Sequence, residues 1–501
     1  MGRREFLRGC SLSTMGLLVP GTLLGQASSQ LNELAIPDLY SGDSTSSAQS
    51  YSLQTRQDTS RFLPGLETPT LGINGSYLGP TLKFLRGDHI AMAVENALDE
   101  PTSLHWHGLH VPAIADGGPH QLIQPGATWR PEFQIRQQPG TFWYHSHALG
   151  KTGEQVYKGL AGLIIIEDDA PMQSSLPSDY GVNDIPLIVQ DRRFTDDGNF
   201  AYVRNHRDIM IGFHGNTVLV NGTYNPVFSP KHSKIRFRLL NAANARTFVF
   251  AFSDGRDFQL VSCDGSYLES PANLNRVVLA PSERADIVVD FSNGEPVSLI
   301  SEPLASDSAF APRGMMRNMH PLESESLQIL AIEPQSTLQI SDAVPSRLAT
   351  VQRIPESEAI RQRSLTLSMM MGMGGRMRGR QGGGMNMGRG NFFINGEPMD
   401  MSVINQRIPV GDTEIWEISN DSMMMHPFHI HHSQFQILSR NGRPPSPQEM
   451  GFKDTVKVGP GETVRFIMRF ENFADSEHPY MYHCHILEHE DNGMMGQFVV
   501  E

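Results

Sequence analysis

Polar and apolar residues alternate along two widely separated stretches of this chain, and both stretches lead to the same kind of sequence. The first opens at Arg86-Gly87-Asp88-His89-Ile90 and runs to Asn96; the second opens at Val410-Gly411-Asp412-Thr413-Glu414-Ile415 and runs to Asn420. A period of two sends successive side chains to opposite faces, so each stretch predicts a β-strand. Eighteen residues separate Gly87 from His105, and eighteen separate Gly411 from His429. A second strand signal follows in each unit, at Gln124-Pro125-Gly126-Ala127-Thr128 and at Gly459-Pro460-Gly461-Glu462-Thr463. The middle of the chain carries the same skeleton, at Lys234-Ile235-Arg236-Phe237-Arg238-Leu239-Leu240-Asn241 and Ala280-Pro281-Ser282-Glu283-Arg284. Three repeats of one β-sandwich type are expected, over residues 50–170, 171–345 and 346–501, in an all-β chain. The 46 glycines and 33 prolines fit many short strands joined by turns.

The outer repeats carry histidines where the middle one has none. They are Leu104-His105-Trp106-His107-Gly108, Trp143-Tyr144-His145-Ser146-His147, His426-Pro427-Phe428-His429-Ile430-His431, and His483-Cys484-His485, with His489 and Met494 close behind. Spacing i, i+2 puts two imidazoles on one face of a strand. By the same rule Cys484 points away from His483 and His485. A cysteine with two histidines and a weak thioether is the ligand set of an electron-transfer copper. One pair of imidazoles would suit several metals, but four groups with one thiolate single out copper. A closed zinc site needs four ligands and favours cysteines, so it fits poorly. Matched pairs in the first and third repeats imply that these units face each other. Their eight imidazoles, at two or three to a metal, could hold about three metals. His426, Cys484, His489 and Met494 would build a fourth site inside the last unit.

Charge and cysteine content narrow the class. A net charge of −14 argues against a nucleic-acid partner. Three cysteines occur, Cys10, Cys263 and Cys484, so the chain is no disulfide framework, and Cys263 reads as a buried thiol. Residues 1–27 read as a twin-arginine signal peptide: Arg3-Arg4-Glu5-Phe6-Leu7, an apolar run, then Gly25-Gln26-Ala27. That run is too short and glycine-rich for a membrane span, so an exported, periplasmic protein with no stable membrane insertion after cleavage is expected. Residues 28–50, rich in Ser and Gln, read as a loose arm.

The motifs HWHG, HSH, HPFHIH and HCHILEHEDNGMM together resemble the three-domain multicopper oxidases, the laccase-like family, over residues 50–501. The stretch from His105 to Pro119, the run Gly150-Lys151-Thr152-Gly153 and the leader are most similar to bacterial cuprous oxidases of copper homeostasis. The resemblance implies three cupredoxin-like Greek-key β-sandwich domains and four copper ions. It assigns His426, Cys484, His489 and axial Met494 to a type 1 copper, and His105 and His429 to a type 2 copper. His107, His145, His147, His431, His483 and His485 go to a type 3 pair. Asp116 and Glu490 match acids that relatives use to deliver protons; a solvated surface carboxylate is the plainer alternative for each. The activity implied is one-electron oxidation of Cu(I) or a small aromatic donor at the type 1 site. Dioxygen is reduced by four electrons to water at the three-copper cluster, in a monomer. The alternative is an exported copper-sequestering protein whose oxidase turnover is incidental.

One segment remains. Residues 369–387 are rich in methionine, glycine and arginine, and thioethers prefer Cu(I). The resemblance makes this insert a copper-gathering loop, with Met369 and Met424 at substrate-copper positions. Relatives also place acids there, whereas this chain has no Asp or Glu from Ala359 to Gly396, and Ser422 stands where they have an acid.

Overall fold

The computed structural model describes residues 31–44, 48–168, 175–319, 326–370 and 391–501. The leader and residues 371–387 of the methionine-rich insert lie outside the described residues. Among those described, strands dominate and form six sheets, which pair into three cupredoxin-like sandwiches.

One device recurs in all three. A strand runs parallel to a later one: Gln49–Ser60 beside His89–Asn96, Asp184–Arg192 beside Lys234–Asn241, and Arg361–Met369 beside Thr413–Asn420. The second member then pairs antiparallel with a strand at or just after the second sequence signal: Thr128–Trp129, Arg284–Asp290 and Thr463–Arg469 respectively. Parallel neighbours need a crossover, and here it passes to the facing sheet, which is how a single chain closes a sandwich.

The alternation predicted for His89–Asn96 is present, with Ile90, Met92 and Val94 buried and His89 and Glu95 exposed. Thr413–Asn420 differs, for its first four residues are all buried. Ile354, in the segment entering the third sandwich, packs with Ile415 and Ile467 and covers the outer face. The arm also differs from expectation. Asn32–Glu33 pair with Pro226–Val227, and Leu39–Tyr40 pair with Thr81–Leu82, so backbone hydrogen bonding to the first two sandwiches fixes it.

Each sandwich has its own apolar core, and a smaller one joins the first to the middle through Trp143, Leu163, Ile188 and Leu240. Helices are few and short. Thr152–Lys158 starts within the glycine-rich run, and its first amides, on Thr152 and Gly153, donate to Asp491 at 3.1 and 2.8 Å. A Cβ on Gly153 would come within 2.3 Å of the Tyr202 hydroxyl of the middle sandwich and 3.1 Å of Asp491 of the third, so the close approach of this helix start to both favours a glycine. Among the described residues, no helix is long and apolar enough to cross a membrane.

Candidate metal centre

Strand pairing brings the histidines together. In the first sandwich His105 lies opposite His145, and His107 opposite Trp143. In the third, His429 lies opposite His483, and Phe428 opposite Cys484. Alternation then sorts the side chains: Trp106, Tyr144 and Phe428 enter the cores, and the imidazoles face the junction between sandwiches. Cys484 belongs to the third core, with Met494 and Met424, while its neighbour His483 reaches His147 across the junction, Nε2 to Nε2 at 3.2 Å.

The ligand-type atoms gather into close sets, within each of which all atoms lie within 4.8 Å: His107, His145 and His485; His147, His431 and His483; His105, His107 and His429; and His426, Cys484 and His489. All of these residues are buried. Burial holds His105, His107, His429, His431 and His485 well below the ordinary imidazole range, and holds His145 and His426 down to about 3. Neutral imidazole is the form that binds metal. Burial pushes the Cys484 thiol the other way, well above its usual range, so a thiolate there needs a bound cation to balance it.

Acceptors stand behind the rings. The His105 Nδ1 lies 2.9 Å from the Asp116 carbonyl, His429 Nδ1 2.7 Å from the Asp454 carbonyl, and His145 Nδ1 2.8 Å from the Ser146 carbonyl. His431 Nδ1 meets the Asp116 carboxylate at 2.6 Å. Glu490 lies between His147 and His483, its oxygens 3.3 and 3.1 Å from their Nδ1 atoms, close enough for charge but not aligned as hydrogen bonds. Both acids are buried, which removes the alternative of solvated surface carboxylates. Burial raises Asp116 against the opposing pull of His105; at Glu490 burial would do the same, but His483 and His147 outweigh it and bring the carboxyl down to about 2.

Four nitrogens of the cluster rings are buried with no partner among the described residues: His105 Nε2, His429 Nε2 and both nitrogens of His485, of which a single ring can turn only one toward the cluster. Orphaned polar atoms at the centre of a ring of neutral imidazoles are what a bound cation would satisfy, so the donor set fits copper.

Around the cysteine, His426 turns Nδ1 toward Sγ at 3.3 Å and Nε2 toward the Ser422 hydroxyl at 2.8 Å. His489 places Nδ1 3.7 Å from Sγ and Nε2 3.3 Å from the Met210 carbonyl, and Phe392 stacks on its ring at 4.2 Å. Met369 is half-buried at the end of its strand and Met424 is buried. Sequence reasoning missed Met210, Phe392, Trp143 (stacked on His145 at 4.1 Å), Asp454 and Arg284. These residues sit in ordinary strand and turn sequence, and only their neighbours in space make them part of the site.

Profiles of the family described as multicopper oxidase match residues 54–171, 193–298 and 376–501. The chain is 36% identical over 477 residues to the multicopper oxidase mco of Staphylococcus haemolyticus (strain JCSC1435), covering 94% of this chain and 92% of that one. It is 32% identical over 506 residues to the cell division protein FtsP of Escherichia coli (strain K12), covering 100% and 99%. Among solved structures, a laccase-like multi-copper oxidase CueO from Ochrobactrum sp. superposes with a TM-score of 0.82 at 35% identity, covering 93% of this chain and 100% of that one. The chain belongs to the multicopper oxidase family, a family of copper-binding oxidoreductases.

Proposed function

We propose that this protein is an exported oxidase that takes single electrons from Cu(I) or small phenolic donors and uses four of them to reduce dioxygen to water. The observation that carries this is the covalent link: Cys484 sits between His483 and His485 in the chain, so the cysteine site and the histidine cluster are joined through the backbone. Four coppers fit the donor sets: a type 1 ion at His426, Cys484, His489 and Met494, a type 2 ion at His105 and His429, and a type 3 pair. The pair would be shared between His107, His145 and His485 on one side and His147, His431 and His483 on the other. When bound, copper supplies the one-electron chemistry and the place where dioxygen is reduced.

The chain supplies the rest. The Ser422 hydroxyl holds the His426 ring with Nδ1 toward the sulfur. The apolar wall of Phe392, Ile486 and Met424 keeps water from the cysteine, as a tuned electron-transfer site needs. Asp116, biased toward its protonated form by burial, meets the outward Nδ1 of His431 and holds a proton at the edge of the cluster. Glu490, between His147 and His483, is the second proton carrier. Met369 and Met424 would receive substrate copper from the methionine-rich insert. The three modules span residues 50–170, 171–345 and 346–501, and a monomer reaching the periplasm by the twin-arginine route completes the proposal.

Oxygen uptake with Cu(I) and with phenols tests it: sustained turnover at one dioxygen per four electrons is expected. Uptake that stops once the protein has filled with copper would instead support copper sequestration, which the methionine-rich segment favours. Deleting residues 369–387 should slow Cu(I) oxidation more than oxidation of a bulky organic dye; equal loss on both would argue against copper gathering. The likeness to a cell division protein shows that this fold can carry another role, and the complete ligand set here favours the oxidase.

A further inference from the structure

Among the cluster rings with a partner behind them, His107 stands apart. His105, His145, His147, His429, His431 and His483 all turn Nδ1 outward. His107 is reversed: Nε2 meets the Asp454 carboxylate at 3.0 Å, and Nδ1 faces inward, 3.4 Å from His145 Nε2. Asp454 also fixes His429 through its carbonyl, and the His107 and His429 rings stack at 3.7 Å.

Asp454 is held in turn by a residue of the middle sandwich, which supplies none of the proposed metal ligands. Arg284 Nη1 and Nη2 donate to the two Asp454 oxygens at 2.8 and 2.5 Å. Its remaining N–H groups donate to the carbonyls of Thr141 in the first sandwich (3.0 Å) and of Ser282 and Asp264 in the middle one (3.0 and 2.9 Å). All five guanidinium donors are used, so one buried side chain ties three sandwiches together behind His107. Asp454 balances its charge, and the neighbouring buried charges pair among themselves: Lys453 meets Asp264 at 2.7 Å and Lys457 meets Glu283 at 2.7 Å. Gly108 completes the fit. Its φ is +84°, and a Cβ there would lie 2.3 Å from an Asp454 oxygen, which accounts for the glycine that closes the HWHG motif.

We propose that Arg284 is a positioning residue of the cluster: it locks the Asp454 carboxylate against His107 Nε2, so that Nδ1 is the atom offered to a type 3 copper. The inference rests on the copper assignment above. Lysine cannot replace the fork, being a point charge with three donors.

The test is copper binding and absorption of loaded Arg284→Lys, Asp454→Asn and the double variant. In Arg284→Lys the blue absorption of the cysteine site should persist, while the type 3 pair binds copper about 10–100-fold more weakly and its near-ultraviolet band is lost. The double variant should lose little more than Asp454→Asn alone, since both act on one ring. An Arg284→Lys protein with the wild-type band and affinity, or fully additive losses, overturns the proposal. If Arg284→Lys yields no folded protein, Asp454→Asn decides: selective loss of the type 3 band with the blue one kept supports the lock, and an unchanged band refutes it. Wild-type protein that loads far fewer than four coppers would instead sink the assignment on which the lock depends.

Discussion

Removing copper should destabilise this protein by an amount that can be worked from three imidazole rings. His105 Nε2, His429 Nε2 and the two nitrogens of His485 are buried and unpartnered among the described residues. Each such atom costs about 1–3 kcal/mol; a cation can reach one nitrogen of each ring, so the three atoms it would satisfy cost about 3–9 kcal/mol in its absence. Protonation offers no escape, because burial holds all three imidazoles well below their ordinary range. Water entering the stripped site would recover part of the cost, which makes the upper figure a ceiling. For a unit the size of one sandwich, 1 kcal/mol moves the melting temperature by roughly 2–4 °C, so stripping should lower it by about 6 °C or more. Scanning calorimetry on loaded, chelator-stripped and reloaded protein measures this. His485→Leu sharpens the test by reversing sign: it removes two orphaned atoms, so it should not destabilise the stripped protein, yet it should forfeit much of the gain on loading. Stripped and loaded proteins that melt within about 2 °C of each other, or a His485→Leu penalty equal in both, would refute the reasoning.

Three other outcomes are expected. Cys484→Ser should abolish the intense blue absorption and stop turnover while leaving the protein folded; a blue, active variant would disprove the ligand assignment. Gly108→Ala forces a Cβ to within 2.3 Å of the Asp454 carboxylate at a φ of +84°, so it should lower stability by about 1–3 kcal/mol and deplete cluster copper, read by metal analysis. At Glu449 burial alone would raise the carboxyl, but Arg440, at 2.6 Å, outweighs it and holds it down to about 2. Its folded value is depressed, so its contribution of about 3 kcal/mol is present above the ordinary glutamate range and lost as pH falls toward that value. Denaturant unfolding of Glu449→Gln should show that acid limb flattened.

Much of the site was legible because its ligands come in strands, and a strand's period of two is written in the residues. His105 and His107 share a face by spacing alone, and Cys484 parts from His483 and His485 by the same rule. The matching intervals from Gly87 to His105 and from Gly411 to His429 likewise announced equivalent sandwiches. Where the reading failed, the cause was nonlocal. Residues 28–50 are rich in Ser and Gln, which suggests a free arm, yet distant strands offer Asn32–Glu33 and Leu39–Tyr40 backbone partners, and Leu34 enters the middle core. Thr413–Asn420 looks half-exposed until Ile354 covers its outer face.

The sequence by itself determined which atoms would be offered: imidazoles in pairs, one sulfur between two of them, and three copies of a sandwich. Only the tertiary structure decided which nitrogen of each ring faces inward. That choice is made by acceptors far away in the chain, such as Asp454 behind His107 and Asp116 behind His431, and by an arginine from the module with no ligands. A ring orientation is set by the hydrogen bond on its far side, and a partner hundreds of residues distant leaves no local pattern to read.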